Sequence, residues 1–148
     1  MNMVYKKVKE FKHKYPMTIA WRLRTHCKVI TKHLNPGEIV QYAFCAQKGH
    51  SSFDIFRTHV IVLTNKRILL AQKRLFFGYL YTAITPDMFN DLTINSYLIW
   101  GKVYIDTINE LVELSNIDKR ALSEIETSVT EYMMREKKKY GQLNQIKK

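Results

Sequence analysis

Residues 60–70 read VIVLTNKRILL. Two short apolar runs, Val60 to Leu63 and Ile68 to Leu70, flank the polar tetrad Thr64-Asn65-Lys66-Arg67. Runs of this length, separated by turn-forming residues, predict the two strands of a β-hairpin. Asn65-Lys66 is the expected turn, because Asn tolerates the left-handed backbone of a two-residue hairpin loop. Lys66 and Arg67 then read as punctuation and not as ligand groups. Both faces of the hairpin are apolar: Val60 and Val62 alternate with Ile61 and Leu63, and Ile68 and Leu70 with Leu69. An antiparallel hairpin needs only one buried face. Something must cover the other, either a helix of the same chain or a second molecule. Val60, Ile61, Val62, Leu63 and Leu69 are therefore the candidate interaction face.

Outward from the hairpin, Glu38–Phe44 reads as a first strand, and Arg57–Thr64 and Arg67–Arg74 as the second and third. Tyr79–Ile84, Met88–Tyr97, Lys102–Thr107 and Glu110–Leu114 follow. Gly37, Gly49, Gly78 and Gly101 fall at the breaks, which supports the segmentation. Seven short strands at even spacing predict a small barrel or sandwich. The period then changes. After Asn116 and Asp118, either a suitable N-cap, Leu122, Ile125, Val129, Tyr132 and Met133 form the apolar stripe of a helix. Lys137-Lys138-Lys139 suits its C-terminal end, Gly141 closes it, and 141–148 is a frayed basic tail.

Ahead of the strands, Pro16 suits the first position of a helix. Ala20, Leu23, Cys27, Ile30 and Leu34 recur at steps of three and four until Asn35-Pro36-Gly37 ends the run. This stripe is the candidate cover from within the chain. Residues 1–15 read as a mobile arm or a fraying helix. The expected organisation is a basic arm and helix over 1–34, a β domain over 35–140 and a tail over 141–148.

The net charge of the 148 residues is +11, and it is unevenly placed. Residues 1–34 carry nine Lys and Arg against Glu10 alone, whereas 35–115 carry seven of each sign. Basic ends on a neutral domain point to an anionic partner, a phospholipid surface or nucleic acid. Hydrophobic content of 46% argues against disorder. Cys27 and Cys45 make no CxxC pair, so a reducing cytoplasm is the expected compartment. No run reaches the roughly 18 apolar residues that a membrane-spanning helix needs.

The order LNPGEIV (34–40), VIVLTNKRILL (60–70), a final strand and RALSEIETSVTEYM (120–133) resembles the bacterial pleckstrin-homology-like (PH-like) domains, with the YokE-like subgroup nearest. In place of that family's GLFGG-like connection stands Leu75-Phe76-Phe77-Gly78. The resemblance covers about residues 34–134. It implies an α+β, mainly β fold: a seven-stranded antiparallel barrel or sandwich with a C-terminal capping helix, here preceded by an extra basic helix. It implies a binding or assembly scaffold, in some members a ring-forming one, and no catalytic activity.

No catalytic constellation stands out. A P-loop, a dinucleotide fingerprint and a nucleophile elbow are all missing from the sequence. His13, His26, His33, His50 and His59 form no dense ligand set; His26 and His33 share a helical face beside Cys27, but surface or packing roles are expected. No cofactor, metal or small-molecule substrate is implied. PH domains that bind phosphoinositides usually carry cations after strand one and on strand two. The corresponding region offers Lys48 and Arg57, but His59 stands where a second cation is wanted, and His50 and Asp54 lie in the loop. That departure argues against inositol-phosphate recognition.

KRLFFGYLY (73–81) has two cations ahead of an aromatic hairpin. With Phe76 and Phe77 exposed, they would enter a lipid interface while Lys73 and Arg74 meet headgroups. Exposed aromatic tips are the exception, so the expectation is that the rings pack on the barrel or the N-terminal helix. Lys6, Lys7, Lys9, Lys12, Lys14, Arg22, Arg24 and Lys28 are the candidate anionic-surface residues. The leading reading is a cytoplasmic, non-enzymatic module that self-associates or docks a protein partner, with peripheral contact to the inner membrane face through its basic N-terminal helix. The alternative is a nucleic-acid-binding accessory protein, with Tyr5, Phe11 and Tyr15 stacking on bases.

Overall fold

The computed structural model describes residues 2–49 and 55–146, so His50, Ser51, Ser52, Asp54 and the last two lysines lie outside the described residues. Helices α1 (Met3–Lys14) and α2 (Leu23–His33) precede seven strands. These are β1 (Val40–Lys48), β2 (Thr58–Thr64), β3 (Ile68–Lys73), β4 (Tyr79–Ile84), β5 (Phe89–Ser96), β6 (Trp100–Thr107) and β7 (Leu111–Asp118). Helix α3 (Leu122–Ile146) ends the described chain. The strands form one antiparallel sheet in the order β4-β3-β2-β1-β7-β6-β5. Register shifts at Val40/Tyr42, Phe89/Asp91 and Gly101/Val103 add local twist. The sheet curls into the expected mainly β half-barrel with a helix behind its last strand.

Helix α3 lies across the open side. It packs on β5 and β6, while Glu124 accepts from Tyr42 Oη (2.9 Å) and Arg135 donates to Gln41 on β1 (2.9 Å). Its stripe of Leu122, Ile125, Val129, Tyr132 and Met133 is buried, at the spacing read from the sequence. Leu122 presses on β6 at Gly101, where a Cβ would collide with the Leu122 side chain. Two details differ from expectation. Asn116 is a β7 residue with φ 57°, and Asp118 alone caps, accepting from Arg120 N in the short turn before α3. The helix continues through Gly141, because that glycine stays helical and only costs propensity.

The N-terminal segment is two helices: of the arm or helix expected over 1–15 it is the helix that forms, while the second helix starts at Leu23 and not at Pro16, which sits in the turn between them. Asn2 caps α1, its Oδ1 accepting from Val4 N (2.8 Å). The buried stripe of α1 is Val4, Val8, Phe11 and the adjoining Tyr15. Cys27, Val29 and Ile30 bury α2, with Leu23, Leu34 and Ala20 half-buried beside them. Helix α1 packs on β1, and α2 on β2 and β3.

These helices answer the question of the two-faced hairpin. All seven residues of β2 are buried. Val60, Ile61, Val62, Leu63 and Leu69 are at most 1% exposed. The proposed interaction face is thus corrected: it is interior, sealed by the chain's own helices, and offers nothing to a second molecule. Ile30 lies in this layer at 0% exposure. Ile30→Val should lower unfolding free energy by about 0.5–1.5 kcal/mol, read as a shifted denaturant midpoint with unchanged slope.

Candidate functional site

Strands β3 and β4 pair from Ile68↔Ile84 out to Lys73↔Tyr79. Beyond that pair, Arg74 N donates to Gly78 O (3.1 Å) and closes a tip of five residues. Gly78 has φ +72°, a conformation that side chains disfavour. Among the described residues no element covers the tip. Phe76 is 81% and Phe77 87% exposed, and Leu75, Tyr79 and Leu80 are exposed as well. The expectation that these rings pack on the barrel or the helix fails, because the hairpin carries them past the last covered strand pair.

Three separate stretches hold the stem. On α2, His26 Nδ1 accepts from Lys73 N (2.9 Å); burial lowers the ring's pKa to about 4, so it is a neutral acceptor at neutral pH. The Gln72 amide donates to Thr58 O (3.0 Å) and to Phe56 O, tying β3 to the entry of β2. Trp21 meets Phe56 edge-on at 5.2 Å, and the Arg22 guanidinium lies 5.4 Å from the Trp21 ring. Arg22 itself has φ 57° at the head of α2. Together Trp21, Arg22, Phe56, Arg57, Lys73, Arg74, Leu75 and Leu80 line a groove of about 370 Å³ beside the tip, over His26 and Gln72.

Of the residues expected to carry function, Lys73, Arg74, Phe76 and Phe77 are on this one hairpin. Arg22 joins them. Lys6, Lys9, Lys14, Arg24 and Lys28 are exposed elsewhere on the helical layer, with Lys7 and Lys12 half-buried. Lys14 pairs with Glu124 (2.7 Å), Lys12 Nζ donates to Pro16 O (2.6 Å), and Arg24 lies over the Tyr5 ring (5.0 Å). Phe11 and Tyr15 are buried and pack together at 5.1 Å, so neither can stack on a base. His59 is buried with Nδ1 on Arg57 O (2.9 Å); burial lowers it to about 4, and it adds no charge. Lys48 is 3.9 Å from Glu110. Trp21 and Phe56 are site residues that the sequence reading missed. Nothing local marks them, since tertiary packing brings them together.

Among the described residues no three His, Cys, Asp or Glu side chains gather as a metal site. His26 faces the Lys73 amide, whereas His33 stacks on Tyr81 at 4.0 Å. Cys27 and Cys45 are buried free thiols, both pushed up to about 12 by burial.

A curled sheet of seven antiparallel strands backed by a C-terminal helix defines a PH-like domain, here with a two-helix layer added at its N-terminus. The chain belongs to the bacterial PH domain family, whose model matches residues 34–131. Both added helices precede that match. The chain is also similar to the crystal structure of a pleckstrin homology domain from Shewanella amazonensis SB2B. The two share 14% identity over 74% of this chain and 83% of that one, with a TM-score of 0.45. No curated protein matches the chain.

Proposed function

We propose that the chain is a non-enzymatic binding module that docks on anionic membrane through the tip of its β3–β4 hairpin. The observation that carries this reading is the exposure of Phe76 and Phe77 beside Lys73, Arg74 and Arg22. Transfer of a fully exposed Phe into an apolar phase is favourable by about 1.5–3 kcal/mol. Each cation close to an anionic surface adds about 1 kcal/mol. Apolar and electrostatic terms act at the same end of the molecule, as interfacial anchoring needs. The contact moves from the N-terminal helix to the hairpin, because the apolar side of α1 is already committed to β1. The remaining cations of residues 1–34 contribute long-range attraction.

Self-association loses its motive once the apolar face of β2 and β3 is sealed within the chain. Nucleic-acid binding keeps its charge but loses two of its three stacking rings. No described helix is long and apolar enough to cross a membrane, so an interfacial contact is the form proposed. Flotation with vesicles of phosphatidylserine and phosphatidylcholine tests it. The chain should rise with these at low salt and stay down with phosphatidylcholine alone. Retention in the dense fraction with anionic vesicles at low salt would end the proposal. Binding to duplex DNA or RNA with a steep salt dependence, and no flotation, would favour the alternative.

A further inference from the structure

Away from the hairpin, α1, Pro16 and the first residue of α2 line an open groove of about 810 Å³. Tyr5, Pro16 and Leu23 give it an apolar wall, and Lys9 and Lys12 stand on its rim with Glu10 and His13. A smaller neighbouring pocket of about 290 Å³ shares Tyr5 and Lys9 and adds Asn2, Arg24 and Lys28. Glu10 is the one acid in residues 1–34, against nine cations. Lys9 and Lys28 are exposed and have no acidic partner within 4.0 Å among the described residues. The walls are fixed in place, because Val4, Val8, Cys27 and Ile30 root both helices in the core. The groove is therefore preformed, apolar inside and cationic at the rim.

We infer that this groove docks an acidic amphipathic peptide segment of a partner protein, with apolar side chains on Tyr5, Pro16 and Leu23 and carboxylates at Lys9, Arg24 and Lys28. Shape and charge select this occupant. A bilayer is flat and meets protrusions such as Phe76 and Phe77, whereas a concave groove admits a chain. Helix α1 has 12 residues, about 18 Å of length, which matches three turns of a docked helix. Laying an apolar helix face into a groove is an established mode of peptide recognition, and carboxylates facing the cationic rim set the partner's sign. A polyanion without apolar anchors would leave the wall at Leu23 and Pro16 unfilled. The inference does not rest on the membrane reading, which uses the opposite attributes of another surface.

The test is selection of a displayed library of random peptides, about 15 residues long, on the full chain, followed by anisotropy titration of the enriched peptides. Enriched sequences should be net acidic, with Leu or aromatic residues at helical spacing. Their affinity should fall at least about tenfold in the Lys9→Glu/Lys28→Glu variant, whose two sites are exposed and leave folding intact. Phe76→Ser/Phe77→Ser should leave peptide affinity unchanged while weakening vesicle binding, so the two surfaces fail separately. No enrichment, enrichment without acidic excess, or equal binding by the Lys9→Glu/Lys28→Glu variant would each overturn the inference.

Discussion

Replacing Phe76 and Phe77 together by serine is expected to weaken binding to anionic vesicles by about a hundredfold or more. Both rings are almost wholly exposed in the free chain, so moving them into the interface removes nearly their full area from water. At about 1.5–3 kcal/mol for each ring, the pair supplies about 3–6 kcal/mol, against about 8 kcal/mol for a micromolar affinity. The cations beside them supply a part that salt screens. Lys73→Ser/Arg74→Ser should accordingly cost less, with a loss that shrinks at high salt. Since both rings are more than four-fifths exposed, the phenylalanine variant should unfold within about 0.5 kcal/mol of the parent. Equilibrium binding to vesicles of fixed composition, beside a denaturant curve, separates the two effects.

Arg67→Ala is expected to be the most damaging single change outside the apolar core. Its guanidinium grips Glu38 by both ends, with Nε to Oε2 at 3.0 Å and Nη2 to Oε1 at 3.1 Å. Nη2 also donates to His33 O at the end of α2 (2.9 Å). The Glu38 side chain is fully buried and further accepts from Asn35 N (3.0 Å) and Thr64 Oγ1 (2.6 Å). Deleting Arg67 leaves that carboxylate buried without its counter-charge, a change that costs about 3–5 kcal/mol in a dry interior. Arg67 is 18% exposed, so water relieves some of it and about 2–4 kcal/mol is expected. Adding Glu38→Gln should recover part of the loss, because no orphan charge then remains.

The same pair sets an acid limit. Burial alone would raise the Glu38 pKa, but Arg67, Asn35 N–H and Thr64 outweigh it and hold the carboxyl below its usual value. Asp118 is held down chiefly by its hydrogen bonds from Arg120. A depressed carboxyl stabilises the fold above its unfolded pKa of about 4, and that contribution is lost as pH falls through the lower folded value. Unfolding free energy should therefore drop below about pH 4, and less steeply in Glu38→Gln.

The tetrad 64–67 shows where a sequence reading stops. Its strands are Thr58–Thr64 and Ile68–Lys73, within a residue of the reading, because apolar runs bounded by polar ones are a local signal. Its polar residues read locally as punctuation, and here the structure differs. Asn65 does not adopt the left-handed conformation. Its Oδ1 accepts from Ile39 N (2.7 Å), and its own N–H donates to Ile39 O (3.0 Å). With Thr64 and Arg67 on Glu38, the tetrad clamps the segment ahead of β1. That long-range pairing gives the LNPGE and LTNKR stretches a reason to occur together, and no local rule reveals it.

Other misreadings have similar causes. The α1 stripe is Val4, Val8, Phe11 and Tyr15, but the intervening lysines leave the sequence open between an arm and a fraying helix. β1 runs to Lys48, beyond the expected Phe44, because Ala43 to Gln47 are all buried and alternation disappears. β7 extends to Asp118 through polar Ser115 and Asn116, and Ser115 Oγ donates to Gln47 O (3.2 Å) and Gly49 O (3.0 Å). The hairpin at 73–81 was legible as a cationic aromatic tip. Its exposure was not, since burial of a tip depends on whether another element reaches it.

The most direct measurement places an environment-sensitive fluorophore at the tip. Cys27 and Cys45 are at most 1% exposed, and burial pushes both thiols up to about 12, so a cysteine introduced by Leu75→Cys can be labelled selectively. Leu75 adjoins Phe76 and Phe77 without replacing either. On adding phosphatidylserine-containing vesicles, the label at 75 should shift to the blue and be quenched by brominated acyl chains. A label introduced by Asn90→Cys, exposed on the far edge strand β5, should not respond. An unchanged emission at 75 while the chain floats with the vesicles would contradict insertion of the hairpin tip.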